Sequence, residues 1–202
     1  MTTTMLKKPM LSYHGDPLIK AKYTARFAAH RAADEVIQGK GFAEGRGCFV
    51  GCTLDAYDHS RFPIELGWPE WLARLADAIF EGIPKEDAPQ FGTDLLNAVH
   101  VGVNLEPVRS RFLLILQRHS VERIKDKTTP GADACIAAVK TVIDLLEKDV
   151  AAESAAWSAA RSAAESAAWS AARSAAWSAA RSAEFKTQRE DLLALVRECQ
   201  EI

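Results

Sequence analysis

The chain has 202 residues, 48% of them hydrophobic and 26% charged, which supplies a packed core and excludes global disorder. Its formal net charge of −2 excludes a broad electrostatic attraction to nucleic acid or to an anionic membrane surface. No stretch approaches the roughly 20 apolar residues of a membrane span, and the four cysteines (Cys48, Cys52, Cys135 and Cys199) are too few for the disulfide framework of a small secreted domain.

Residues 1–15 read as a loose leader without a signal-peptide hydrophobic region, so the expected setting is reduced and cytoplasmic, with no membrane partner. A first helix is predicted to begin at Asp16, with Pro17 in its first turn. Ile19, Tyr23, Phe27, His30 and Ile37 recur along one side of it. The Gly-rich stretch GKGFAEGRG ends that helix and leads into CFVGCTL, an apolar run that reads as a short strand or tight turn near 48–54.

A second helix is predicted at PEWLARLADAIFEG, opened by Pro69 and closed by Gly82, with Trp71, Leu72, Leu75, Ile79 and Phe80 as its apolar face. Weaker helical patterns follow at FGTDLLNAV and EPVRSRFLLILQRHS, before a break at TTPGAD. ACIAAVKTVIDLLEK is amphipathic again, through Ile136, Val139, Val142, Ile143 and Leu146. From Ala132 to Ile202 there is neither Gly nor Pro, which predicts helix almost throughout, bent or broken near 147–154. The expected class is mainly α: a helical N-terminal domain over 1–130, then a helical region over 131–202.

That last region carries a tetrad repeat over 153–185, in which Ser-Ala-Ala recurs and each fourth position is Glu, Trp or Arg up to Arg181, with Phe185 continuing the phase. Four residues overshoot a helical turn by about 40°, so the stripe winds slowly around the helix. Trp157, Trp169 and Trp177 therefore cannot all bury against one flat partner. Each is followed four residues later by Arg161, Arg173 or Arg181, placed to stack on the indole for about 0.5–1 kcal/mol each. The pattern fits a contact segment for self-association or a protein partner, and equally a helix packed on its own domain. Nucleic acid is disfavoured, because Glu153, Glu165 and Glu184 nearly cancel the arginines.

Chemically capable residues are densest in GRGCFVGCTLDAYDHSRFPIELGWP. Cys48 follows a Gly-rich loop whose free N–H groups are suited to lowering a thiol pKa or cradling an oxyanion. His30 or His59 would serve as base, with Asp77 or Glu81 to orient it. Buried core cysteines account for the same run. A zinc site would draw on Cys48, Cys52 and His59, with His14 or His30 to complete it. The Cys-x3-Cys spacing is not the usual knuckle, so no metal or other cofactor is assigned. Asp34, four residues after His30, is that histidine's expected partner, and Asp77 with Glu81 read as a solvated i,i+4 face. The glycines match no Walker or dinucleotide fingerprint.

His30, Asp34, the Gly-Cys-x-x-Gly-Cys-Thr segment at 47–53, His59, Glu65 and the helix end at Phe80-Glu81-Gly82 resemble a family of uncharacterised phage and bacterial proteins, over roughly residues 12–120. Many of these end in Ala-rich repeats studded with aromatic and charged residues. Arg46 stands where a lysine is expected, Phe42 where an aromatic pair is expected and Ala76 where an acid is expected. The resemblance implies a phage or mobile-element accessory protein. The expected function is a non-enzymatic interaction module, oligomeric or partner-bound, in the manner of an inhibitor of a bacterial defence system. The alternative is a small-molecule-binding protein of nucleotide type, or a cysteine-dependent enzyme, centred on Cys48, Cys52, His30 and His59.

Overall fold

The computed structural model of the chain describes residues 9–125, 132–148 and 177–199. Most of the predicted leader and break, the predicted bend after 148, and Trp157, Arg161, Trp169 and Arg173 lie outside the described residues, as do the side chains of Cys135, Trp177 and Arg181. Two compact units form, Met1–Glu106 with Phe185–Ile202, and Pro107–Glu184.

The first unit opens with a tight turn, Ser12–Gly15, and helix α1, Pro17–Ala32. The helix starts where Asp16 and Pro17 predict: Pro17 fills the first position and Asp16 caps α1, its carboxylate accepting the Leu18 N–H at 2.8 Å. After α1 the chain forms a two-residue hairpin, β1 (Phe42–Ala43) antiparallel to β2 (Arg46–Gly47), with Phe42 opposite Gly47. Four helices follow: α2 (Phe49–Leu54), α3 (Arg61–Glu65), α4 (Glu70–Gly82) and α5 (Ala88–Ala98). Helix α1 packs on α2 and α5, and α4 packs on α2, α3 and α5.

The short-strand element expected near 48–54 lies earlier, at 42–47, and the apolar run itself is helix α2. A six-residue apolar run does not distinguish strand from helix by its period. Here burial of all six residues and local bonds decide: Cys52 N–H donates to Cys48 C=O at 2.9 Å and Thr53 Oγ1 to Phe49 C=O at 2.7 Å. Gly51 permits the packing that results. A Cβ there would stand 2.0 Å from the Gly41 carbonyl oxygen, so only glycine lets the loop lie on this helix.

An aromatic chain holds the unit together. Tyr13 meets Trp68 edge-on at 5.7 Å between centroids, Trp68 meets Phe62 at 5.9 Å, Phe62 meets Phe49 at 6.0 Å, and Phe49 meets both Phe27 at 5.8 Å and Phe91 at 6.5 Å. These rings are fully buried and link the opening turn to α1, α2, α3 and α5.

The second unit contains most of α6 (Glu106–Ile124), then α7 (Ala132–Lys148) and the start of α8 (Trp177–Glu198). Val142 and Leu146 pack with Leu113 and Leu114, and Arg118 pairs with Glu147 at 2.7 Å. From Phe185 onward α8 belongs to the first unit. Leu192, Leu193 and Val196 are buried there, and a Cβ on Gly82 would strike the Phe185 ring at 2.1 Å. No described helix is long and apolar enough to cross a membrane.

Candidate functional site

The loop between α1 and α2 is folded onto the site by its own backbone. Ile37 N–H donates to Gly47 C=O at 2.8 Å, Gly47 N–H to Glu35 C=O at 3.0 Å, and Cys48 N–H to both Lys40 and Gly41 carbonyls at 2.9 and 3.1 Å. Gln38 fastens the loop to the end of α4, its Nε2 donating to Phe80 C=O at 2.5 Å and Ile83 C=O at 2.8 Å. Cys48 is thus held in extended conformation as the residue that opens α2.

Helix α4 faces this point with Asp77 and Glu81, one turn apart. The sequence suggests a solvated pair, but Asp77 is only 7% exposed. The small residues Ala73 and Ala76 beside it are fully buried, so neighbouring elements approach closely and cover the aspartate. An acid at position 76 would be buried as well. Donor atoms of Cys48, Asp77 and Glu81 lie within 4.8 Å of one another.

Two further side chains close on Asp77 from the loop after α2. Tyr57 Oη donates to Asp77 Oδ2 at 3.0 Å, and His59 Nε2 lies 3.1 Å from the same oxygen. With a carboxylate as acceptor, Nε2 carries the imidazole proton. The two rings meet edge-on at 5.1 Å. Asp77 Oδ1 is buried without a hydrogen-bond partner, an arrangement that ordinarily costs about 1–3 kcal/mol. Glu81 Oε2 accepts the Gly39 N–H at 2.8 Å.

Burial pushes the Cys48 thiol well above the ordinary cysteine range, and the neighbouring Asp77 pushes it the same way. Tyr57 is pushed up to about 12 by burial and by its bond to Asp77. Glu81 is raised by burial first, against the Gly39 N–H that favours its charged form, with the Asp77 charge adding to the rise. The cluster therefore favours a protonated thiol over a thiolate nucleophile.

The remaining candidates are placed elsewhere. Cys52 Sγ donates to Gly47 C=O at 3.2 Å, and burial pushes that thiol up to about 11. His30 is bracketed: Nδ1 lies 2.6 Å from Glu35 Oε2 and Nε2 lies 2.8 Å from Asp55 Oδ1, which Arg26 also holds through Oδ2 at 3.1 Å. Burial acts to lower the His30 pKa, but the bonds and charges of Asp55 and Glu35 outweigh it, and the net direction is upward. Asp34 is not its partner, because α1 has already ended and Asp34 turns into the left-handed region at φ 58°. Glu65 is spent on structure, accepting from Tyr23 Oη and from Arg61 Nε, the latter at 2.6 Å. His14 Nε2 lies 2.9 Å from the Ile64 carbonyl.

Tyr57, Glu35, Asp55 and the Gly39 N–H were not legible as participants, since each sits in a loop or at a helix end where no periodicity marks its direction. No family model, curated protein or solved structure matches the chain.

Proposed function

We infer that the chain is a non-enzymatic protein-interaction module, in which a helical domain carries the Trp/Arg tetrad repeat as its contact segment for a protein partner or a second copy. The observation that carries this reading is where the chain goes after the repeat. Phe185 onward returns to the first unit, with Leu192, Leu193 and Val196 buried and Arg189 paired with Asp94 at 3.0 Å. The chain that follows the repeat is thus part of a folded core, so the repeat is an insertion in the chain between folded segments and not a loose end.

The alternative, a cysteine-dependent enzyme, is opposed by the same geometry. Cys48 is 1% exposed and held protonated, Cys52 is bonded to a carbonyl, and His30 is occupied by two carboxylates. The resemblance to phage and bacterial proteins makes a component of a bacterial defence system the partner class that fits.

Replacing Trp157, Trp169 and Trp177 together by alanine tests the reading without breaking helical propensity. Light scattering and native mass spectrometry of the full chain are expected to show loss of an oligomer, or loss of binding to the captured partner. Wild-type and triple variant alike in mass and in partner binding would remove the repeat from the function.

A further inference from the structure

We propose that Cys48, Asp77 and Glu81 form a site for one zinc-class divalent cation, with Tyr57 and His59 as positioning residues for the central carboxylate. The proposal is independent of the repeat. It rests on how hydrogen bonds are divided between oxygens, and not on a gathering of acids. Asp77 Oδ2 faces both Tyr57 Oη and His59 Nε2, at 3.0 and 3.1 Å, whereas the buried Oδ1 has no partner. Glu81 repeats the division among the described residues, since Oε2 takes the Gly39 N–H at 2.8 Å and Oε1 takes none. A ligating carboxylate is commonly held this way, one oxygen fixed by outer donors and the other turned to the ion.

The donor set selects the ion. A sulfur ligand disfavours magnesium and calcium, which take oxygen donors, while sulfur with carboxylate oxygen suits zinc. Donor atoms within 4.8 Å need a small inward movement to reach bonds of about 2.0–2.3 Å. Glu81, the exposed member, has the freedom to make it. The Cys48 proton leaves to solvent as the sulfur ligates, and water completes a tetrahedral shell. Such an ion ties the start of α2 to two turns of α4. It does not use Cys52, whose sulfur is bonded to the Gly47 carbonyl, so the geometry replaces the Cys48–Cys52 pair suggested by spacing with a thiol and two carboxylates.

The test uses the full chain, stripped with chelator and titrated with cobalt and then zinc under absorption and native mass detection. One cobalt per chain is expected, with a thiolate-to-cobalt charge-transfer band that zinc abolishes stoichiometrically. Cys48→Ser is expected to remove the band. Glu81→Gln, a change at an exposed residue that leaves the core intact, is expected to weaken binding at least ~10-fold, and Tyr57→Phe by about 10-fold. Cys199→Ser should alter neither. Circular dichroism confirms that each variant is folded. Absence of a cobalt band in the wild type, a band surviving Cys48→Ser, or full affinity in Glu81→Gln would overturn the proposal. The cluster would then be a purely structural grouping of two carboxylates beside a core thiol.

Discussion

Arg189 on α8 stands 3.0 Å from Asp94 on α5, a pair 95 positions apart in the chain that fastens the last helix to the first unit. Both side chains keep some solvent contact, at 18% and 26% exposure. The pair therefore guides the helix more than it stabilises it. Apolar burial beside it, with Leu192 and Val196 fully covered, supplies most of the energy.

Leu192→Ala is accordingly expected to lower unfolding stability by about 2–5 kcal/mol, since it removes buried surface and leaves a cavity. Arg189→Ala is expected to cost about 1 kcal/mol or less. Urea unfolding followed by tryptophan fluorescence measures both. Equal and small losses would mean that α8 is not part of this core.

Gly51→Ala places a methyl group 2.0 Å from a backbone oxygen that no side-chain rotation can move. The loop must lift off α2 or the helix must shift, at a cost of about 1–3 kcal/mol or more. A thermal melt indistinguishable from that of the wild type would contradict the close contact between Gly51 and Gly41.

His30 makes stability depend on pH in a stated direction. Its folded pKa lies above the ordinary 6.5 because Asp55 and Glu35 stabilise the imidazolium, despite burial acting the other way and Arg26 standing on Asp55. The stabilisation is fully present below about 6.5 and fades as pH rises through the higher folded value. Wild type minus His30→Gln, measured by denaturant unfolding from pH 5.5 to 8.5, should shrink as pH rises. A constant difference would show that His30 titrates alike in the folded and unfolded chain, and a growing one that its folded pKa is lowered.

Thiol labelling separates the cysteines by environment. Cys199 is partly exposed, whereas Cys48 and Cys52 are buried at 1% and 0% exposure. Iodoacetamide at neutral pH should modify Cys199 well before either of them in the native chain, with Cys48 and Cys52 reacting after denaturation. Fast native labelling of Cys48 would restore the case for a nucleophile.

Much of the helical order is written locally. The Asp16–Pro17 start, the α4 span and, among the described residues, the helices Ala132–Lys148 and Trp177–Glu198 follow from caps, breakers and the 3.6-residue period, which act within a few residues of each other. The same spacing brings Asp77 and Glu81 onto one side of α4. What it does not carry is the environment of that side.

Tertiary structure decides the rest. Asp77 becomes a buried group because alanines beside it admit close neighbours and because Tyr57 and His59 arrive from another loop. His30 pairs with Glu35 and Asp55, past the helix end, and not with Asp34 one turn away. CFVGCTL becomes helix once all of it is enclosed, and the end of the chain returns to the first unit through contacts nearly a hundred positions apart in sequence. Caps and periodicity are short-range interactions that any stretch of sequence expresses by itself. Burial, and the charge state it imposes on a carboxylate or thiol, depends on what distant segments cover it, and that is set only when the whole core closes.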